Sequence, residues 1–426
     1  MKKIAIIMAA GVLLASCGGQ NAGEVNIEKV VANTVVGDMG MMIKSFDIYV
    51  DNAKAIKKLK AEDFDLTSNG YSGYCDPETR QAPAAYTDDG ITVTVRKNVL
   101  HLEAKPFSIN GMRGADWRPT PWELHCTNPA LNITAENITE KTTSVIDDCI
   151  RGEFTFAGIT REYMLWLPKD SKGNVIKNSP LLVWQIGGGE YNMPLEPAAL
   201  ANRCLTSLPE HGEKCATLMF AIANPNYSYS ASLDPEKIKL VDRNNALQMA
   251  FIDTLIEDGT IDGSKVFCAG ASSGGGCTMR FTMQFPDRFK AAVPICSMDP
   301  IVPIHMVQEA YDGQFTDDIE KAFQGQVYKW DGNDMTLADI DTQAFVKLPL
   351  FFVHAENDRT CKVISSHAYF DARKRLGAAD DHLLIFDEEQ MNEFGMGGPA
   401  LSHFSWVRML NDYSEGSAMD WLIKQF

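Results

Sequence analysis

Two patterns of hydrophobic and polar positions divide the chain near residue 152. Between residues 25 and 152, apolar and polar side chains alternate in short runs at 46–50, 91–95 and 99–103, which is the period of strands with one buried face. Clusters of asparagine, aspartate, glycine and proline separate these runs. The pattern predicts a small β-sandwich over residues 25–152.

From residue 153 to 426, continuous apolar runs alternate with segments of helical periodicity. The apolar runs have the character of strands buried on both faces, and they occupy residues 180–186, 265–269, 291–296 and 348–354. Strands that alternate with helices predict an α/β domain, built on a mostly parallel sheet with helices on both faces. A longer connection at 299–347 is either a lid over the site or a helical insertion on the surface.

The N-terminus predicts export and anchoring. Two lysines precede an apolar stretch at 4–15 that is too short to cross a bilayer, as in a signal peptide. The stretch ends Leu14-Ala15-Ser16-Cys17, which resembles a bacterial lipobox and implies removal of residues 1–16 and acylation of Cys17. Residues 17–24 then form a tether. We expect a lipid-anchored protein of the bacterial cell envelope, in the periplasm or at the cell surface, with the outer membrane favoured. An ordinary secretory signal with an incidental cysteine is the alternative.

The negative net charge limits the classes of partner that the protein is expected to bind. The 426 residues include 39 basic and 56 acidic side chains, a formal net charge of −17. Because an acidic chain repels phosphate backbones, no nucleic-acid partner is expected, and contact with a membrane is expected only through the lipid anchor. No spacing typical of a zinc or calcium site occurs, so no metal and no cofactor are predicted.

The ten cysteines allow several interpretations. Cys204 and Cys215 bracket a loop and form the favoured predicted disulfide. A second group that is open to pairing contains Cys75, Cys126 and Cys149. Three further cysteines fall in the predicted core and are predicted to stay free, namely Cys268, Cys277 and Cys296.

The segment Gly270-Ala271-Ser272-Ser273-Gly274-Gly275 joins a predicted buried strand to a predicted helix. A G-x-S-x-G sequence in that position is typical of a nucleophile elbow, whose tight turn exposes the serine hydroxyl and whose glycines allow close backbone approach. Only Ser272 has glycine both two residues before and two residues after it, so Ser272 rather than Ser273 is the predicted nucleophile. The amide of Ser273, at the start of the helix, is predicted to donate to an oxyanion.

The elbow and its flanks at 261–267 and 285–296 resemble secreted bacterial α/β-hydrolase esterases, which lie beside the prolyl oligopeptidase and polyhydroxybutyrate-depolymerase-like families. The resemblance covers residues 154–426 and implies an α/β-hydrolase fold with a serine, histidine and carboxylate triad. Residues 25–152 resemble, in their spacing, the immunoglobulin-like domain that precedes some bacterial esterases.

In this fold the carboxylate and then the histidine follow the serine along the chain. Asp358 comes shortly after a predicted strand, in a turn that resembles the family's H-G-x-x-D turn, and Glu356 is the alternative carboxylate. His403 follows a glycine-rich loop and precedes a terminal helix, where the family has its catalytic base. The resemblance gives His354 a structural part at the end of the strand.

The loop after residues 180–186 departs from the family. Relatives commonly have H-G-x-G-E there, whereas this chain has Ile186-Gly187-Gly188-Gly189-Glu190. The glycines are kept, so a backbone amide near Gly188 is predicted to be the second oxyanion donor. The histidine is replaced by Ile186, which puts this half of the oxyanion site in question.

These residues predict a serine carboxylic-ester hydrolase of the carboxylesterase kind. Its triad would be Ser272, Asp358 and His403, and its substrates small or carbohydrate-linked esters, through an acyl-enzyme. A prolyl-oligopeptidase-like serine peptidase would use the same triad on peptides. A third reading, from a different class, is a catalytically silent surface lipoprotein that binds glycans or partners, in which Ile186 would mark lost activity.

Overall fold

The computed structural model describes residues 24–38, 40–68, 86–88, 90–108, 110–111, 118–119, 121–190, 193–221, 235–297, 313–399 and 401–426. Strands form nearly all of the regular structure up to Thr143, and strands alternate with helices from Ile150 onward. In these ranges no helix combines the length and the apolar character that crossing a bilayer requires.

The N-terminal region consists of two main sheets around one core. Its elements are β1 (Ile27–Gly37), β2 (Gly40–Val50), α1 (Ala53–Ile56), β3 (Phe64–Ser68), β4 (Tyr86–Asp88), β5 (Thr92–Arg96), β6 (Val99–Ser108), β7 (Asn110–Gly111), β8 (Arg118–Pro119), β9 (Trp122–Cys126), β10 (Ile133–Thr134) and β11 (Glu140–Thr143). One sheet has the order β11-β1-β2-β6-β5 and the other β10-β9-β3-β4.

Aromatic side chains from both sheets meet in the middle of this region. The Trp122 ring on β9 lies 5.1 Å from the Phe46 ring on β2 and 5.8 Å from the Phe107 ring on β6, measured between centroids. Each of these three side chains is almost completely buried. The predicted N-terminal β-sandwich is therefore confirmed, because alternating apolar positions of two sheets share one core.

The remainder of the chain is organised around an eight-stranded sheet. Its strands and one separate hairpin (β18 and β19) are β12 (Ile150–Phe156), β13 (Ile159–Trp166), β14 (Ser179–Gln185), β15 (Ala216–Phe220), β16 (Ile261–Ala271), β17 (Ala291–Ile295), β18 (Gln326–Trp330), β19 (Met335–Asp339), β20 (Phe351–Ala355) and β21 (His382–Phe386). The sheet order is β12-β13-β15-β14-β16-β17-β20-β21. Pairing is parallel from β15 to β21, and antiparallel where β13 joins β12 and β15.

Helices cover this sheet on both faces. They are α2 (Leu195–Ala199), α3 (Ser207–His211), α4 (Pro235–Glu257), α5 (Ser273–Gln284), α6 (Gly313–Phe323), α7 (Thr342–Lys347), α8 (Ile364–Arg375), α9 (Glu388–Asn392), α10 (Ser405–Asn411) and α11 (Ala418–Ile423). On β16, Phe267 and Ala269 enter one buried cluster, while Val266 and Cys268 enter the cluster on the opposite face. The predicted α/β fold is thus confirmed, and the continuous apolar runs arise because both faces of each central strand are buried.

The described part of the 299–347 connection is packed against the catalytic region. Phe323 and Phe345 lie in the same buried cluster as the central strands. The amide of Tyr328 donates to the Asp242 carboxylate on α4 at 2.7 Å, and that carboxylate also pairs with Arg280 on α5. Residues 313–347 are therefore fixed to α4 and α5. Residues 299–312 lie outside the described ranges, and the lid stays a prediction.

The predicted Cys204–Cys215 disulfide is wrong in this structure. Both side chains are buried free thiols. The Cys204 thiol contacts the Met219 sulfur on β15 at 3.8 Å, whereas the Cys215 thiol contacts the Ala216 carbonyl at 3.4 Å. Each thiol thus has its own partner inside a packed core, and both behave as small apolar side chains. Among the described residues, Cys126, Cys149, Cys268, Cys277 and Cys296 likewise form no disulfide, and Cys75 lies outside the described residues.

Candidate active site

Ser272 occupies a strained turn between β16 and α5. Its backbone has φ 58° and ψ −124°, a region that non-glycine residues rarely adopt and that costs about 1–3 kcal/mol. The turn is held because the Ser272 amide donates to the Ile295 carbonyl of β17 at 3.0 Å, and the Ser272 carbonyl accepts from the Gly275 amide at 3.0 Å. This is the geometry expected of a nucleophile elbow.

The glycines around Ser272 are required by close backbone contacts. A Cβ atom on Gly274 would lie 2.1 Å from the Gln185 carbonyl oxygen, and one on Gly270 would lie 2.7 Å from the same oxygen. A Cβ atom on Gly275 would lie 2.5 Å from the Ile295 carbonyl oxygen. The elbow is thereby seated directly on the ends of the neighbouring strands β14 and β17.

Replacement of Gly274 by alanine should therefore be severely disruptive. We expect a loss of about 3 kcal/mol or more in the free energy of unfolding, because the new methyl group meets backbone that cannot move aside. Urea denaturation measures this loss. Gly189→Ala is the matched control, since a Cβ atom there meets nothing within 4 Å. Equal stability of the two variants would contradict the close packing of the elbow.

Asp358 and His403 form a hydrogen-bonded pair. The His403 Nδ1 atom lies 2.8 Å from the Asp358 Oδ2 atom, although the two residues are 45 positions apart. The other carboxylate oxygen, Oδ1, accepts from the amides of Thr360 at 2.7 Å and Cys361 at 2.9 Å. Asp358 is buried, whereas the alternative carboxylate Glu356 is exposed. The structure thus brings Asp358, and not Glu356, to the histidine.

His354 supports Asp358 from the same strand end. The His354 Nε2 atom lies 3.2 Å from Asp358 Oδ2 and 2.9 Å from the Cys361 carbonyl, and its Nδ1 atom lies 2.8 Å from the Ser366 hydroxyl. Burial on its own would raise the pKa of Asp358. Hydrogen bonds with His354 and His403 outweigh burial and hold that pKa below its usual range. Asp358 is consequently ionised at neutral pH.

The ionised Asp358 selects one tautomer of His403. A carboxylate only accepts hydrogen bonds, so Nδ1 of His403 carries the proton and Nε2 is free to take one. Among the described residues, the Ser272 hydroxyl contacts the Cys361 thiol at 3.8 Å and makes no hydrogen bond to His403. Such bonds are often long in free enzymes and shorten when substrate binds.

The oxyanion loop lies against the nucleophile. A Cβ atom on Gly187 would lie 3.9 Å from the Ser272 Cβ atom and 3.3 Å from the Ala271 carbonyl oxygen. The Gly187 amide donates to the Glu190 carboxylate at 2.7 Å, and the next amide belongs to Gly188, which begins a short 3-10 turn. The Ser273 amide begins α5, where helix amides have no acceptor within the helix. The Ser273 amide thus directly follows Ser272, and Gly187, the neighbour of Gly188, lies beside the Ser272 side chain.

Ile186, which precedes the three glycines of this loop, is a core residue. Its side chain is 1 % exposed and belongs to the same buried cluster as Trp184 and Phe267. A Cβ atom on Gly274 would lie 2.8 Å from the Ile186 carbonyl oxygen, so the Ile186 backbone is packed against the elbow. The Ile186 side chain therefore packs in the core, and the backbone amides of the glycines that follow it are still present in the loop.

Glu190 and Asn202 are functional candidates that the sequence reasoning did not single out. The Asn202 side-chain amide donates to Glu190 Oε1 at 2.6 Å, while Glu190 Oε2 accepts from the Gly187 amide. Burial raises the pKa of Glu190 to about 7, against the lowering effect of these two hydrogen bonds. The glutamate directly follows three consecutive glycines, but its partner is 12 residues away and only the fold brings it close.

The raised pKa of Glu190 predicts a pH-dependent stability. The pKa of Glu190 in the folded state, about 7, exceeds the ordinary value of 4.5. The protonated carboxyl therefore contributes fully to the stability of the fold below pH 4.5, and this contribution is lost as the pH rises through 7. Compared with Glu190→Gln, the wild-type protein should lose up to about 3 kcal/mol of unfolding free energy over that interval. Urea titrations across the interval measure this difference, with the exposed Glu356→Gln as control for charge. Parallel pH profiles of wild type and Glu190→Gln would refute it.

Comparisons with known proteins bear on the fold and on the class of protein. A model of the prolyl oligopeptidase family matches residues 242–411, a segment that contains Ser272, Asp358 and His403. The chain is similar to the crystal structure of a thermostable esterase, with a TM-score of 0.64 and 17% identity over 93% of this chain and 99% of that one. No curated protein matches the sequence.

Two smaller structures also align with part of the chain. Est1E from Butyrivibrio proteoclasticus and a ferulic acid esterase each share 16% identity, over 65% of this chain and 98% of theirs, with TM-scores of 0.39 and 0.43. At 17% identity, the thermostable esterase shows a shared fold. The chain therefore has an α/β-hydrolase fold, and the family match supports a serine hydrolase.

Proposed function

We propose that the protein is a serine carboxylic-ester hydrolase that acts on small or carbohydrate-linked esters. The observation that carries this proposal is the seating of Ser272 in a strained elbow beside the hydrogen-bonded pair Asp358 and His403. Strain of this kind persists only where the surrounding structure enforces it, and it is concentrated at functional sites.

The proposed reaction uses Ser272 as the nucleophile, His403 as the base and Asp358 as the carboxylate that orients it. The Nε2 atom of His403 takes the proton of the Ser272 hydroxyl while its oxygen attacks the ester carbonyl carbon. The same proton then passes to the leaving alcohol as the acyl-enzyme forms. A water molecule, deprotonated by His403, attacks the acyl-enzyme, which releases the acid and restores the Ser272 hydroxyl. Asp358 stays ionised throughout and stabilises the imidazolium.

The amides of Ser273 and Gly188 are the proposed donors to the oxyanion. The positive end of α5 adds to their effect, because its first amides point away from the helix body. A donor of this kind contributes about 10²–10³ in kcat. Because the Ile186 side chain packs in the buried core and the proposed donors are backbone amides, the proposal does not need a histidine at position 186.

A serine peptidase is the second candidate, because the matching family model is that of the prolyl oligopeptidases. A fluorophosphonate probe, followed by hydrolysis of p-nitrophenyl acetate, feruloyl esters and peptide anilides, separates the candidates. Labelling of Ser272 with ester turnover supports the esterase, whereas preference for the anilides supports the peptidase. A folded protein that is not labelled would support the silent binding protein.

We further propose that the mature protein is held at a membrane of the bacterial envelope by lipid on Cys17. Cys17 lies outside the described residues, and the proposal rests on the lipobox-like sequence that ends at this cysteine. Metabolic labelling with an alkyne fatty acid tests it. Incorporation should be abolished in Cys17→Ser, and label that persists in this variant would rule the anchor out.

A further inference from the structure

A thiol lies next to the Asp358–His403 pair. Cys296 directly follows β17. In the sheet, β17 lies between β16, which leads into Ser272, and β20, which precedes Asp358. A ligand atom from each of Cys296, Asp358 and His403 lies within 4.8 Å of the other two. Thiolate, carboxylate and imidazole are the three ligand types that Zn²⁺ takes in proteins.

A second thiol lies at the same place. The Cys361 sulfur is 3.8 Å from the Ser272 hydroxyl, and the Cys361 amide donates to Asp358 Oδ1 at 2.9 Å. The surroundings of the nucleophile are thus unusually rich in soft ligands.

We propose that Cys296, Asp358 and His403 form a binding site for Zn²⁺, and that the bound ion switches the hydrolase off. Zinc bonds of about 2.3 Å to sulfur and 2.0–2.1 Å to nitrogen hold tetrahedral ligand atoms roughly 3.5 Å apart. The three ligand atoms all lie within 4.8 Å of one another, so the widest pair has to close by up to about 1 Å. His403 Nδ1 and Asp358 Oδ2, which are 2.8 Å apart, have to separate slightly as the ion enters between them.

The charges and protons of this binding step balance. Zn²⁺ displaces the proton of the Cys296 thiol to solvent, and the resulting thiolate together with the Asp358 carboxylate neutralises the two charges of the ion. A neutral cluster is much less costly to bury than an unpaired cation. His403 has 12% of its side chain exposed and Ser272 has 8% of its residue surface exposed, so both residues keep some contact with solvent.

Inhibition follows from the histidine tautomer. The nitrogen of His403 that faces Asp358 is Nδ1. A metal ion bound at Nδ1 leaves the ring's proton on Nε2, so His403 has no free nitrogen to take the proton of Ser272. Zinc at this position therefore removes the base without displacing the serine. The inhibitory half of this inference rests on the proposed hydrolase function, whereas the binding half does not.

Inhibition is tested by titrating ZnCl₂ into p-nitrophenyl acetate hydrolysis. Loss of a residue that only hydrogen-bonds to a metal ligand weakens metal binding by about 10–100-fold. Cys296→Ala removes a ligand itself, so the zinc concentration that gives half-inhibition should rise at least about 100-fold. Rates are normalised to each variant's own zinc-free rate. Cys215→Ala, which removes a buried thiol elsewhere in the same region, should keep the wild-type sensitivity, and EDTA should restore activity. Wild-type sensitivity in Cys296→Ala would overturn the proposal.

Binding is tested separately with Co²⁺ as a spectroscopic substitute for Zn²⁺. One equivalent of Co²⁺ should give a thiolate-to-cobalt charge-transfer band in the wild type and in Ser272→Ala, which lacks the nucleophile but keeps every proposed ligand. The band should be lost in Cys296→Ala and in His403→Ala.

If Cys296→Ala fails to fold, Cys296→Ser takes its place. A missing band in the wild type would overturn the site even if the protein hydrolyses esters, and a normal band without any ester turnover would count only against the hydrolase function.

Discussion

Ser272→Ala should lower ester hydrolysis by roughly 10⁶-fold, which is the scale found when a triad nucleophile is removed. The strained backbone at this position exists to present the hydroxyl at the end of the sheet, so the methyl group keeps the turn and removes only the attacking atom. The change in kcat/KM on p-nitrophenyl acetate measures the effect, and fluorophosphonate labelling should vanish with it.

Ser273→Ala is the informative comparison for that variant. The Ser273 hydroxyl is buried with no hydrogen-bond partner among the described residues, and its proposed contribution comes from the backbone amide, which alanine retains. We expect a loss of at most about tenfold. A larger loss in Ser273→Ala than in Ser272→Ala would mean that the neighbouring serine is the nucleophile.

Asp358→Asn should lower kcat by about 10⁴-fold while leaving the fold intact. The asparagine amide donates where the carboxylate accepted, which favours the His403 tautomer whose Nε2 already carries a proton and which therefore cannot act as the base. The measurement is kcat on an activated ester, with circular dichroism to verify folding. Glu356→Gln, at the exposed alternative carboxylate, should be close to wild type. The reverse ranking would assign the acid of the triad to Glu356.

The same substitution should alter the response to acid. Because the folded-state pKa of Asp358 lies below its unfolded value, the carboxylate stabilises the protein above the unfolded pKa, and this stabilisation is lost as pH falls through the folded value. Asp358→Asn removes that contribution. Its unfolding free energy should therefore fall less steeply on acidification than that of the wild type.

Local patterns in the chain carry much of this architecture. The run at residues 265–269 predicts a strand buried on both faces, and β16 has that environment because successive side chains point to opposite helix layers. The elbow is equally local, since the glycines of G-x-S-x-G are needed within one turn of Ser272. In both cases the sequence signal lies in a few consecutive letters, although the contacts that bury the strand and require the glycines come from distant segments.

Contacts between distant segments could not be obtained in that way. The sequence suggested a disulfide between Cys204 and Cys215, but packing directs each thiol to a separate partner. No local motif marks Cys361 as a neighbour of Ser272, or Asn202 as the partner of Glu190. These juxtapositions arise only when parallel strands bring their carboxyl ends, and the loops that follow them, to one edge of the sheet.

By itself, then, the sequence determined the α/β class, the β-rich N-terminal region and the position of the elbow, because periodicity and glycine spacing act over a few residues. The tertiary structure alone decided that Asp358 rather than Glu356 meets His403, since one side chain of the turn is buried and the other exposed. It also placed Cys296 beside that pair, because β17 lies between β16 and β20 in the sheet and strand order is not written in any local pattern.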